Sequence, residues 1–270
     1  MLTFPNAKIN LGLYITERRS DGYHNIESVF FPVPWCDALE IVPSSQKTSF
    51  QSTGIPIPGD AKDNLCLQAY ELLRKDFGLE PVKIHLHKVI PIGAGLGGGS
   101  SDASYTLRLI SELNNLFLED DFLEDYAAML GSDCPFFIGN QPVVATGTGT
   151  DFTAIELDLS GKHLALVYPG IHIGTKEAYA GVTPKAPSIN LGTYIQETPI
   201  DQWRDTLHND FEDSIFPNHP QLAEVKQGLY DAGALYASMT GSGATLFGIF
   251  DHAPTLPAYP ANYTVFTCQL

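Results

Sequence analysis

The sequence is short of positive charge. Its 270 residues carry 15 lysines and arginines against 31 aspartates and glutamates, a formal net charge of −16. That balance argues against a partner that is nucleic acid or an anionic membrane surface, because both are polyanions. A chain this acidic must hold an anionic small molecule with local donors rather than with its overall field. Cysteine is scarce too. The four, Cys36, Cys66, Cys134 and Cys268, are far apart and form no Cys-x-x-Cys pair, which argues against a disulfide framework and a zinc site. Runs of apolar residues long enough for a transmembrane helix are missing. The opening Met1 to Lys8 lacks the charged-then-apolar pattern of a secretory signal. Internal repeats and low-complexity segments are absent. The expectation is a cytoplasmic protein with free thiols. Its hydrophobic content of 44% is ordinary for a globular chain, and its length suits one large or two medium domains.

Glycine is plentiful in one place. Five glycines fall between Gly93 and Gly99. Before them, Ile84, His85, Leu86 and His87 alternate apolar and polar, which predicts a strand over 82–90. After them, Ala103, Leu107, Ile110 and Leu113 recur at helical spacing, which predicts a helix over roughly 100–117. The glycines therefore form a loop that enters a helix N-terminus. Lacking Cβ atoms, such a loop lets backbone N–H groups approach a ligand, and the helix dipole favours an anion there. Ser100 and Ser101 add hydroxyl donors, so a phosphate cradle is expected. It is not a P-loop, because no lysine follows the glycines. Gly93, Gly95 and Gly98 formally match Gly-x-Gly-x-x-Gly, but Glu119 and Asp120 follow a helix rather than the second strand a dinucleotide site requires. The lysine, His-Arg-Asp and Asp-Phe-Gly partners of a protein-kinase loop are also missing.

The rest of the chain supplies further candidates. Ala7, Ile9, Leu11, Leu13 and Ile15 alternate with Lys8, Asn10, Gly12, Tyr14 and Thr16, which predicts a half-buried strand with Lys8 and Asn10 on its polar face. A lysine there is most simply solvated. Tyr23 and His24 follow a Ser20-Asp21-Gly22 turn, where they either pack locally or stack on a flat heterocycle. Residues 43–60 read as an exposed loop, and Asp63 as the cap of a helix closed by Gly78. Asp133 lies between a helix end and the apolar Pro135-Phe136-Phe137 run, a costly place for an unpaired carboxylate. It is a candidate for charge pairing and proton abstraction, or an Asx-turn. Ala145 to Thr150 is the expected domain boundary. Thr175 can cap a short helix bearing Tyr179, and 181–200 reads as loop. Asn209-Asp210-Phe211-Glu212 follows a short helix around Trp203. Gly241, Ser242 and Gly243 form either a hairpin or a second anion-facing turn. The order of elements predicts an α+β chain of two domains, 1–152 and 153–270, with a cleft between them.

Taken together, Pro5 to Leu11, Pro91 to Ser101 and Thr240 to Ala244 resemble the three motifs of the small-molecule kinases named for galactokinase, homoserine kinase, mevalonate kinase and phosphomevalonate kinase. Ala7-Lys8-Ile9-Asn10-Leu11 with Asp21-Gly22-Tyr23-His24 and Gly131 to Phe136 resembles more narrowly the branch acting on a cytidine diphosphate-linked methylerythritol. The resemblance implies an α+β, two-domain GHMP kinase fold with its active site in the interdomain cleft. It implies transfer of the ATP γ-phosphate, with Mg²⁺, to the 2-hydroxyl of that alcohol on the non-mevalonate route to isoprenoids. Lys8 and Asp133 match the catalytic pair. Pro91, Ile92, Gly93, Ala94, Gly95, Leu96, Gly97, Gly98, Gly99, Ser100 and Ser101 match the ATP-phosphate loop. Asn10, Tyr23, His24, Thr175 and Tyr179 match substrate contacts, and Gly241, Ser242 and Gly243 would border the substrate's phosphates. No set of metal ligands stands out by spacing. A monomer or homodimer is expected. Another kinase of the same superfamily, or a catalytically silent sensor on the same fold, remains as an alternative.

Overall fold

In a computed structural model all 270 residues are described. The first half of the chain runs through β1 (Leu2–Thr3), β2 (Asn6–Arg18), β3 (His24–Cys36), β4 (Ala38–Pro43), β5 (Ser49–Gly54), α1 (Leu65–Phe77), β6 (Val82–Lys88), α2 (Gly98–Leu113), α3 (Asp120–Ala128) and α4 (Phe136–Gly139). The second half adds β7 (Val143–Thr146), β8 (Asp151–Ala154), β9 (His163–Tyr168), α5 (Thr175–Ala180), α6 (Leu191–Glu197), α7 (Asp210–Ile215), α8 (Pro220–Asp231), β10 (Tyr236–Met239), β11 (Leu246–Phe250) and β12 (Thr264–Gln269). These elements pack into two compact units. One comprises Met1–Ala7, Trp35–Ile92 and Gly97–Gln141; the other comprises Lys8–Pro34, Gly93–Leu96 and Pro142–Leu270. The packing follows no single cut in the chain, whereas the sequence suggested one boundary after residue 152. Lys8–Pro34 goes with the later residues because β2 and β3 share a sheet with β7 and β8.

In the first unit the sheet order is β1-β4-β6-β5. Strand β4 runs antiparallel to β6, with Ile41 opposite Ile84, and β5 runs parallel to it. The alternation along β6 sends Val82, Ile84 and Leu86 into a core shared with Tyr70 and Leu73 of α1 and Leu107 and Ile110 of α2. Helix α1 is capped by Asn64, whose side chain accepts from Cys66 N at 2.9 Å, one residue later than the Asp63 expected. Gly78 ends it in the left-handed conformation, at φ 65°. Strand β5 lies inside the stretch read as loop. It is an edge strand, so Gln51, Ser52 and Thr53 stay exposed while Phe50 packs on the core, and its composition carries no strand signal.

In the second unit one sheet has the order β2-β3-β7-β8 and the other β10-β11-β9-β12, all antiparallel in the latter. Leu222, Val225 and Leu229 of α8 pack on Ala237, Met239, Leu246 and Val167 of the second sheet, and full burial of each leucine contributes about 1.5–3 kcal/mol. The Gly- and Thr-rich stretch Ala145–Thr150 forms the β7–β8 hairpin. Helix α6 lies within 181–200, where only loop was expected. Its cap is Asn190, which accepts from Thr193 N at 2.9 Å. No helix of the chain is long and apolar enough to cross a membrane.

Candidate active site

The alternation along β2 puts Lys8 and Asn10 on one face. That face is not solvated as expected: Lys8 is 3% exposed and Asn10 1%. Lys8 Nζ donates to Asn10 Oδ1 at 2.7 Å and lies 4.5 Å from the centroid of the Phe30 ring, where the ring's negative face favours a cation. Asn10 Oδ1 also accepts from Gly241 N at 2.9 Å. Asn10 Nδ2 donates to Ser28 Oγ at 2.8 Å, and Ser28 Oγ donates to Gly12 O at 2.6 Å. Asn10, expected at the substrate, fixes Lys8 and the turn after β10 with its side chain. A buried amide with every group satisfied specifies one geometry.

The same unit gathers the two glycine stretches. Lys8 N donates to Leu96 O at 2.9 Å and Thr245 N to Ala94 O at 3.2 Å. Thr240 Oγ1 accepts from Asn10 N at 3.1 Å and donates to Gly95 O at 3.0 Å. The approach at Gly95 is so close that a Cβ there would stand 2.1 Å from Thr240 O, and its φ is +80°. Both facts require glycine. Ala94 and Leu96 are buried and anchor the stretch, while Gly93 is exposed. Gly241, Ser242 and Gly243 form the turn between β10 and β11. Asn209 holds that turn: its Nδ2 donates to Met239 O at 2.7 Å and to Gly241 O at 3.0 Å. Glu212, 4% exposed, accepts from Ser238 Oγ at 3.0 Å and Met239 N at 2.8 Å. The Asn209–Glu212 block, without a role in the sequence reading, is therefore the support of the second glycine turn.

Tyr23, His24, Thr175 and Tyr179 belong to this unit as well. His24 and Tyr179 stack on each other, with centroids 4.6 Å apart and planes at 21°. Phe211 meets Tyr179 edge-on at 4.9 Å. The turn before β3 is held by Asp21 Oδ1, which accepts from Tyr23 N at 3.0 Å, and leaves Tyr23 68% exposed. Thr175 is exposed and does not cap α5; that position falls to Gly174. The aromatic pair is real, but its rings fill each other's faces and leave no room for a third ring between them.

In the first unit, α2 begins at Gly98 after a left-handed Gly97, and Ser101 N donates to Gly97 O at 2.9 Å. Ser100 is half-buried; Ser101 is fully buried, and its Oγ has no hydrogen-bond partner. Asp133 is half-buried on the turn between α3 and α4. Ser104 of α2 fixes that turn: its hydroxyl donates to Cys134 O at 2.7 Å, with Ser100 O at 3.0 Å. The helix that starts at the glycine loop thus also positions the residue beside Asp133. Sequence reading missed a buried ionic group under this helix. Lys88, 3% exposed, contacts Asp37 Oδ2 and lies 2.7 Å from Asp102 Oδ2. Asp37 Oδ1 accepts from Val89 N and from Ile90 N, the latter at 2.9 Å. Lys88 is in phase with Val82, Ile84 and Leu86 on β6, and a lysine on the apolar side of an alternation is the signal that marks it.

A glycine stretch that opens a helix, with a lysine backbone-bonded to it and held rigid, suits the charge neutralisation that phosphoryl transfer demands. These features fit a small-molecule kinase. Residues 64–147 match the model of the GHMP kinases N terminal domain and residues 194–257 that of the GHMP kinases C terminal domain. The 4-diphosphocytidyl-2-C-methyl-D-erythritol kinase of Azobacteroides pseudotrichonymphae is 52% identical over 98% of this chain and 98% of its own. The enzyme of that name from Bacteroides thetaiotaomicron is 50% identical over 98% of both chains. A crystal structure of 4-(cytidine 5'-diphospho)-2C-methyl-D-erythritol kinase superposes with a TM-score of 0.80 at 32% identity, covering 92% of this chain and 90% of the other. A mevalonate kinase structure, at 14% identity and a TM-score of 0.73, shares the fold. The chain belongs to the GHMP kinase family, in the branch of the 4-diphosphocytidyl-2-C-methyl-D-erythritol kinases.

Proposed function

We propose that this chain transfers the γ-phosphoryl group of ATP to the 2-hydroxyl of 4-diphosphocytidyl-2-C-methyl-D-erythritol, giving ADP and the 2-phosphate, on the non-mevalonate route to isoprenoid precursors. The observation that carries the reading is the position of Asn10, which ties Lys8 and the Thr240–Gly243 turn to one another beside the Gly93–Leu96 stretch. In the proposed reaction the backbone of Pro91 to Ser101 holds the nucleotide phosphates. Asp133 accepts the proton of the 2-hydroxyl as its oxygen attacks the γ-phosphorus, and the bond from that phosphorus to the ADP oxygen breaks. The Lys8 ammonium stabilises the negative charge that develops on the transferred group. Lys8 and Asp133 lie in different units of the chain, and their action on one hydroxyl is part of the proposal. Tyr23, His24, Thr175 and Tyr179 serve the cytidyl end, with Gly241, Ser242 and Gly243 along the diphosphate. A cytosine stacks on the outer face of the His24–Tyr179 pair or parts the two rings.

Mg²⁺ accompanies the ATP in this proposal. No group of three or more His, Cys, Asp or Glu is clustered for a metal ion. That suits an ion held chiefly by phosphate and water oxygens, the usual habit of Mg²⁺, and no residue is assigned to it. The proposed setting is cytoplasmic, supported by four free cysteines. The proposed partner is the small molecule alone, met by a monomer or homodimer, and a net charge of −16 supports the exclusion of nucleic acid and membrane surface. Coupled ADP release tests the reading: turnover is expected with the cytidyl alcohol and not with mevalonate or homoserine. Turnover of either of those in its place moves the chain to another branch of the family, and ATP binding without turnover of any alcohol makes it a sensor.

A further inference from the structure

The Gly93–Leu96 stretch has a side-chain neighbour that none of its motifs predicts. A Cβ built on Gly93 would lie 2.8 Å from His172 Nδ1 and 2.9 Å from its Cε1. The imidazole therefore lies edge-on against the exposed glycine of the loop. His172 is itself exposed, and neither ring nitrogen bonds to the protein. Its place is nonetheless fixed by the next residue. Ile173 is 2% exposed, and its Cδ1 lies 3.1 Å from where a Cβ on Gly243 would stand. The segment leaving β9 is thus pinned beside both glycine turns, and it offers there a side chain with an N–H donor and no partner. The glycine stretch has only backbone donors of its own, and the chain's net charge of −16 repels an anion. A nitrogen donor at the loop answers that deficit, and in its charged form it bonds a phosphate oxygen with particular strength.

We propose that His172 donates a hydrogen bond from its imidazole to a terminal phosphate oxygen of the nucleoside triphosphate held at Gly93–Leu96. The assignment rests on the reading of that stretch as the ATP-phosphate site. It makes His172 a nucleotide-binding residue, and the Gly93 contact places it on the donor's phosphates rather than on the diphosphate of the alcohol.

The test is calorimetric titration of ATP, ADP and AMP into the full-length wild type, H172F and H172Q, with KM measured for ATP and for the cytidyl alcohol. Phenylalanine keeps a ring edge against Gly93 and removes the donor; glutamine restores a donor. H172F is expected to weaken ATP about 10-fold, the size of one hydrogen bond to a charged group, and ADP, which lacks the terminal phosphate, far less. AMP binding and the KM of the alcohol should hold steady, and H172Q should recover most of the loss. Equal weakening of AMP, a shift in the alcohol's KM alone, or H172F indistinguishable from wild type would each overturn the assignment. So would a loss that H172Q does not recover, since that marks a packing role. A wild type that binds ATP but phosphorylates no cytidyl alcohol removes the proposed substrate and leaves the titrations to decide His172. A wild type that binds no ATP removes both.

Discussion

Two buried lysines, each 3% exposed, meet different groups. In the first unit Lys88 is bound by the carboxylates of Asp37 and Asp102. Burial alone would lower its pKa, but the two negative charges outweigh that and hold it above the ordinary lysine value. In the second unit Lys8 is oriented by the amide oxygen of Asn10 and the face of Phe30. Two carboxylates neutralise the Lys88 ammonium, whereas the carboxamide and the ring that meet Lys8 fix where its ammonium points. Lys88 is built to keep a helix start and a strand end together. Lys8 is held in one orientation against the glycine stretch.

Substitution separates the two roles. K8M is expected to lower kcat by about 10²–10³-fold, in the range seen when a group that stabilises developing charge is removed. D133N should lower it by at least about 10²-fold while ATP still binds, in line with the loss of a general base. Steady-state kinetics with a nucleotide titration checks both, and full activity in either variant removes that residue from the mechanism. K88M acts on the fold instead. It leaves two buried carboxylates facing each other and should cost about 3–5 kcal/mol in urea unfolding, more than K8M costs. Equal stability losses in the two lysine variants would erase the contrast.

The smallest effect is one of pH. Burial, with the Asp37 charge, pushes the Asp102 carboxyl up to about 7 against the pull of Lys88. A carboxyl raised on folding adds stability below its ordinary value, and that stability is lost as pH rises through the folded value. The stability of the wild type relative to D102N should therefore fall between about pH 4 and pH 7. Urea midpoints at several pH values measure this, and parallel curves for the two proteins would mean that Asp102 does not titrate in that window.

Much of this was legible in the sequence, for physical reasons that also explain the gaps. Strand β6 and the start of α2 declared themselves through period two, five glycines and period 3.6 in succession. Strand β2 was visible, yet the polar half of its alternation is buried, because a strand's period says which residues share a face and not whether that face is covered. Strand β5 escaped because an exposed edge needs few apolar residues. Helix α6 escaped because its one signal, the cap Asn190, sits in a run of proline and glycine. Asp37 carries no pattern at all: its role comes from Lys88, 51 residues away in sequence. At the site, the residue types came from the motifs, whereas the hub role of Asn10, the supporting Asn209–Glu212 block and the neighbour His172 depend on contacts between distant segments.

The contact at Gly95 also bears on attempts to redesign the enzyme. Where a Cβ would stand 2.1 Å from Thr240 O, the two turns meet backbone to backbone, with no side chain to absorb a mismatch. The Gly93–Leu96 stretch is therefore not a portable cassette. Transplanting the loop of another family member here means transplanting the Thr240–Gly243 turn with it, and variation at either turn is expected to arise only in step with the other.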